Sequence, residues 1–221
     1  MDAQTAPKDA VKTGTTTLAL ACSDGVVMAT EKRATMGHLV SHKNTQKLFN
    51  VDDHLALTTA GLVGDAQMIA RNLSAQAQLY KFKRDAPLPV RGAATLLGNL
   101  LNGSKFQPYW VQLIVGGFDA KGGQIYSIDS AGGAIPETWT VTGSGSAFVY
   151  GVLEDRMEED LTVKKATDLA IRGLNAAMRR DSASGNGMDI AVIDGDGFRR
   201  LDDEVIAKRH AAMKLPMSFH P

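Results

Sequence analysis

The spacing of the apolar residues switches back and forth along this chain between a strand period and a helix period, and the order of those blocks limits the folds open to it. Residues 15–21, 26–30, 47–51 and 54–60 are short runs rich in apolar and β-branched side chains, punctuated by turn residues such as Gly25, and they read as strands. From Leu62 the period becomes helical. Leu62, Val63, Ala66, Ile69, Leu73, Ala77 and Tyr80 share one face of a helix ending near Arg84. Pro87 and Pro89 break it, and Val90, Ala93, Ala94, Leu97, Leu100 and Leu101 define a second helix with Pro89 near its first turn. Strands return at 110–117, 124–129 and 138–142, where Gly122-Gly123 and Gly132-Gly133 suggest the turns of a meander. Two further helices are expected at 146–157 and from Thr162, a candidate cap, to about Arg180. The second of these is apolar on most sides and should be buried. A hairpin at 188–193 and 198–201 then turns on Asp194-Gly195-Asp196-Gly197, and a last helix begins near Asp202. Blocks of strands alternating with blocks of helices predict an α+β layered fold with mainly antiparallel sheets; an α/β fold would alternate them one by one.

Composition then narrows function. The 24 Lys+Arg balance 24 Asp+Glu, which argues against a nucleic-acid partner. No apolar run approaches the ~20 residues of a membrane span, so no membrane partner is expected. A single cysteine, Cys22, excludes an internal disulfide framework and suggests a reducing compartment. The histidines (His38, His42, His54, His210, His220) form no zinc motif, and the turn at 194–197 lacks the glutamate and spacing of a calcium loop. Gly143-Ser144-Gly145-Ser146 could pass for a phosphate cradle, but no GKS or GKT follows it. No metal and no cofactor are expected. The first fourteen residues, MDAQTAPKDAVKTG, are small and polar and lack the marks of a secretory signal or a transit peptide. They suit either a frayed terminus or a short pro-segment.

Gly14-Thr15 bears on that choice. A threonine hydroxyl is a weak nucleophile that needs a base. If the bond before Thr15 is cut, Thr15 gains an α-amine titrating near ~7.7–8.0, able to take the hydroxyl proton. One residue then supplies both nucleophile and base. Glycine at 14 would let the Thr15 hydroxyl approach the preceding carbonyl. Taken alone, however, a glycine before a β-branched strand is commonplace.

Further segments add specificity: Met28-Ala29-Thr30-Glu31-Lys32-Arg33, His42-Lys43-Asn44-Thr45-Gln46-Lys47-Leu48-Phe49, Thr59-Ala60-Gly61-Leu62-Val63-Gly64-Asp65, Gly143-Ser144-Gly145-Ser146 and Asp181-Ser182-Ala183-Ser184-Gly185. In this order and spacing, from Thr15 to the last helix, the chain closely resembles the catalytic β subunits of the archaeal 20S proteasome. The resemblance implies a four-layer αββα sandwich, two mainly antiparallel sheets flanked by helices, the N-terminal nucleophile hydrolase fold. It implies that residues 1–14 are a propeptide removed by autocatalysis at Gly14-Thr15, and that 15–221 form a single catalytic domain. Thr15 would be the nucleophile, Lys47 the ammonium beside its hydroxyl, and Glu31 the carboxylate orienting Lys47. Most members outside the archaea carry Asp at the position of Glu31. Ser144, Asp181 and Ser184 would hold the α-amine and Thr15 in place, and the Gly61 N–H would serve the oxyanion. Ala34, Thr45, Phe49, Thr59, Val63 and Gln67 would line the substrate pocket. They are small or apolar with no acid, which favours cleavage after hydrophobic residues. Thr59 stands where relatives carry a larger apolar residue.

The implied activity is that of a threonine endopeptidase, degrading unfolded polypeptides to short peptides in the cytoplasm. Implied partners are proteasome α subunits, further copies of this chain in two stacked seven-membered rings, and a separate ring ATPase, as no ATP motif is present. A non-catalytic ring subunit of the same fold is the alternative, but such subunits usually lose Thr15, Glu31 or Lys47. Amidohydrolases acting on small amides generally begin with Cys or Ser. The shorter bacterial relative differs in its C-terminal part.

Overall fold

The computed structural model describes residues 14–216; most of the expected propeptide, residues 1–13, and residues 217–221 lie outside the described residues. Two five-stranded antiparallel sheets dominate. The first has the order β10-β1-β2-β11-β12, from β1 (Thr16–Cys22), β2 (Gly25–Glu31), β10 (Trp139–Gly143), β11 (Met188–Asp194) and β12 (Gly197–Arg200). The second has the order β5-β6-β7-β8-β9, from β5 (Leu48–Asp52), β6 (Leu55–Gly61), β7 (Val111–Asp119), β8 (Gly122–Ile128) and β9 (Ala134–Glu137). Helices α1 (Val63–Arg84) and α2 (Val90–Gly103) cover the second sheet, while α3 (Ser146–Arg156), α4 (Val163–Arg180) and α5 (Asp203–Ala212) lie on the side of the first.

Strand periodicity explains the layering. Successive side chains point to opposite faces, and here both faces are apolar. In β1, Leu18 and Leu20 pack beneath α3 and α4, whereas Ala19 faces the other sheet. In β7, Leu113 and Val115 pack beneath α1 and α2, whereas Ile114 faces the first sheet. Three cores therefore separate four layers, the αββα sandwich expected. The middle core mixes small residues, Ala19, Ala56 and Ala191, with larger ones such as Met28, Leu48 and Ile114. A Cβ added to Gly116 would stand 2.6 Å from Met28 Sδ of the facing sheet.

Four local expectations change. The run at 138–142 does not continue the meander. It becomes β10 and pairs with β1, so the chain leaves one sheet for the other at Thr138, whose carbonyl accepts from Ala21 N–H at 2.8 Å. The meander ends instead in β9, a fully exposed edge strand; an edge tolerates Pro136, which cannot donate to a ladder. A short hairpin of β3 (Ala34–Met36) and β4 (Leu39–His42) fills a stretch without alternating apolar residues, and it turns where Gly37 takes φ +61°. Thr162 occupies the N-cap position of α4 but its side chain makes no capping bond; Asp24 Oδ1, from the β1–β2 turn, accepts the Val163 N–H at 2.7 Å. Among the described residues no helix is long and apolar enough to cross a membrane.

Candidate active site

Antiparallel pairing gathers the start of β1, the end of β2, the start of β5 and the end of β6 at one end of the sandwich. Residue 15 lies there, immediately before β1 and 4% exposed. The peptide bond before it is intact, and the Thr15 hydroxyl donates to the Gly14 carbonyl at 2.7 Å. The Gly14 N–H is held by Thr35 Oγ1 at 3.1 Å. Position 14 accepts only glycine, because an added Cβ would run into the Ala183 side chain.

Thr15, Lys47, Ala34, Thr59, Gly61 and Val63 line one cleft together with Gly14, Gln46 and Ala66. Its volume is ≈ 20 Å³, room for about one water molecule. Gly61 takes φ +123°, and a Cβ there would strike the Trp110 carbonyl. The other pocket candidates stand outside the cleft lining. Thr45 donates its N–H to Lys32 O at 2.8 Å, Phe49 packs against the core beneath α1 and α2, and Gln67 is exposed on α1.

Lys47 and Glu31 form a buried ion pair, with side chains 6% and 0% exposed. The Lys47 ammonium donates to Glu31 Oε1 and to the Arg33 carbonyl. Glu31 also accepts backbone N–H groups from Thr16 (3.2 Å), Arg33 (2.7 Å) and Gly185 (3.0 Å). Such satisfaction is what a buried charge requires. Burial works against both charges. It pushes Lys47 below the ordinary lysine range, opposed chiefly by the Glu31 carboxylate and then by Asp181. It pushes Glu31 above the ordinary glutamate range, opposed chiefly by Lys47. A lysine so placed gives up its proton more readily than a surface one.

On the other side of Thr15 lies a hydroxyl–carboxylate cluster. Thr15 N–H donates to Ser144 Oγ at 3.2 Å, and Ser144 N–H donates to Thr15 O at 2.8 Å. Ser144 and Ser184 both donate to Asp181 Oδ2, each at 2.6 Å. Asp181 ends α4, its N–H bonded to Ala177 O, and its Oδ1 takes the Ala183 N–H at 3.1 Å. Gly143, at φ +97°, leaves no space for a Cβ beside the Thr15 carbonyl. The structure thus brings Thr15, Glu31, Lys47, Ser144, Asp181 and Ser184 together. Sequence reasoning overlooked Thr16, Arg33, Gly185, Gln46 and Ala66. Arg33 and Gly185 contribute backbone groups, which leave no trace in residue type.

The pattern of the Proteasome subunit family matches residues 11–193. A proteasome subunit beta of Methanococcoides burtonii is 51% identical over 197 residues, covering 89% of this chain and 94% of that one. The proteasome subunit beta of Methanosarcina mazei is 48% identical over 201 residues, 90% of this chain and 96% of that one. The proteasome subunit beta of Picrophilus torridus is 46% identical over 210 residues, 95% of this chain and 100% of that one. With this likeness running through both sheets and through the residues around Thr15, the chain belongs to the proteasome subunit family, as a beta subunit of the archaeal kind.

Proposed function

We propose that this beta subunit is a threonine endopeptidase made active by cutting its own chain between Gly14 and Thr15. The observation that carries the reading is the meeting, at one buried residue, of a hydroxyl lying against the preceding carbonyl, a lysine–glutamate pair and a serine–aspartate cluster. In maturation Thr15 Oγ attacks the Gly14 carbonyl carbon and the C–N bond breaks, leaving an ester on Oγ and a free α-amine. Water then hydrolyses the ester and releases residues 1–14. In turnover the α-amine takes the Thr15 hydroxyl proton as Oγ attacks a substrate carbonyl, and that proton passes to the departing amine. Water hydrolyses the second ester. Lys47, held by Glu31, favours the alkoxide; Gly61 N–H supports the oxyanion, a contribution typically worth ~2.7–4 kcal/mol. Ser144, Asp181 and Ser184 fix the α-amine. Ala34, Thr59 and Val63 give a mostly apolar cleft suited to a hydrophobic residue before the cut, with Thr45, Phe49 and Gln67 as further candidate pocket residues.

The assembly that goes with this reading is two stacked seven-membered beta rings closed by rings of alpha subunits, fed with unfolded polypeptide by a separate ring ATPase in the cytoplasm. The alternative, a non-catalytic ring subunit, would have no use for a buried lysine whose charge opposes burial. Co-expression with the alpha partner, followed by intact mass and peptidase assay, separates the two. The mature chain is expected to begin at Thr15, and Thr15→Ala to retain residues 1–14, assemble, and lose hydrolysis of a fluorogenic hydrophobic peptide by at least ~10⁴-fold. Undiminished hydrolysis by Thr15→Ala would remove Thr15 as nucleophile.

A further inference from the structure

We infer that Thr16, the residue after the nucleophile, is a positioning residue that holds in place the loops whose directed hydrogen bonds face the Thr15 α-amine. The inference rests on the reading of Thr15 as an amine-assisted nucleophile. Thr16 is fully buried, and its Oγ1 stands 2.6 Å from Ser184 Oγ and accepts the Gly145 N–H at 3.1 Å. Either hydroxyl of the Thr16–Ser184 pair could donate on distance alone. Asp181 decides it. A carboxylate only accepts, so Ser184 spends its single proton on Asp181 Oδ2, and Thr16 must donate to Ser184. The chain of bonds therefore runs one way, from Gly145 N–H through Thr16 and Ser184 to Asp181.

Ser144 meets the same carboxylate oxygen from the other side. Its proton goes to Asp181 at 2.6 Å rather than to Thr15 O at 3.4 Å, so its oxygen faces residue 15 as an acceptor. That polarity matters for a base. An amine that donates to Ser144 keeps its lone pair free for the Thr15 hydroxyl, whereas an amine that accepts from Ser144 has its lone pair capped. Thr16 braces both loops that carry this arrangement, through Gly145 beside Ser144 and through Ser184 beside Asp181. There is no room to substitute for the brace, since a Cβ on Gly145 would run into Thr16 Oγ1.

The test compares Thr16→Val, which keeps the branched shape and loses the hydroxyl, with Thr16→Ser, which keeps the hydroxyl. Each is assembled with the alpha partner. To keep maturation from limiting the result, each is also expressed with Met joined directly to Thr15, so that methionine removal exposes the amine. With a fluorogenic hydrophobic peptide, Thr16→Val is expected to lower kcat about ten-fold with KM within two-fold, because no cleft residue bonds to Thr16. The acid limb of its kcat–pH profile should move to lower pH. An amine that can accept from Ser144 is stabilised in its neutral form, which lowers its pKa. Thr16→Ser should restore both kcat and the limb. A Thr16→Val particle with wild-type kcat and limb overturns the inference, as does a Thr16→Ser particle as impaired as Thr16→Val. A wild-type particle that is inactive, or active without Thr15, instead removes the underlying reading of the nucleophile.

Discussion

The space between the two sheets has two ends built on opposite principles. Towards the β1–β2 turn the sheets approach at missing side chains: Gly116 lies under Met28, a Cβ on Gly123 would stand 2.5 Å from Gly25 O, and Ala19, Ala56 and Ala191 belong to the same core. Towards Thr15 the space holds polar groups, most of them with partners, Thr30 Oγ1 being buried without one. Thr17 Oγ1 bonds Thr58 at 3.1 Å and Thr142 at 3.0 Å, and at the same end of the sandwich lie Thr16, Glu31, Lys47 and Ser184, all buried. Apolar contact is tolerant of small shifts, whereas a buried hydrogen bond loses its worth when misaligned or left unmade. The apolar end therefore governs how close the sheets lie. The polar end governs where individual protons sit.

Substitutions at the two ends should separate along that line. After Thr15→Ala itself, the largest effect is expected at Lys47→Ala, which should block removal of residues 1–14 and reduce peptide hydrolysis on the order of 10³-fold, as loss of one electrostatic donor typically does; normal maturation of this variant would take Lys47 out of the mechanism. Glu31→Gln should act through Lys47. Activity that needs the ammonium is present below the Lys47 pKa and lost as pH rises through it. Burial lowers that pKa and the Glu31 charge raises it, so removing the charge should move the alkaline loss of kcat/KM to lower pH, with about a ten- to hundred-fold drop at neutral pH. An unmoved alkaline limb would show that Lys47 does not set it. At the other end, Gly116→Ala should cost about 1–3 kcal/mol through overpacking against Met28, read as a lower Tm, with hydrolysis per assembled particle unchanged. A selective loss of activity there would erase the distinction between the ends.

The same contrast separates what the sequence made legible from what it did not. The apolar period exposed α1, α2, α4 and most strands, because burial on a face leaves a repeat in residue type. The exposed strand β9 and the β3–β4 hairpin left none. The passage of the chain into β10 depends on which sheet has a vacant edge, a property of the whole fold. At the site, Thr15, Glu31, Lys47, Ser144, Asp181 and Ser184 were expected from resemblance, and their partners Arg33 and Gly185 were not. Those two act through a carbonyl and an N–H, which every residue type but proline carries in full. The missing Thr162 cap is the same lesson, since Asp24 reaches α4 from far away in sequence.

Remote from Thr15, the turn between β5 and β6 joins the sheets through the backbone, with Phe198 N–H on β12 donating to Asp53 O at 2.5 Å. Together with the packed glycines, this fixes the separation of the two sheets at folding. A peptide that met Thr15, as proposed, would find walls whose spacing is already set, and the entropy of arranging them is lost once per folded chain and not once per bond cut. On the proposed reading, constancy of that gap makes cleavage depend on what each segment presents to Thr15, and little on how well it reshapes the protein around itself.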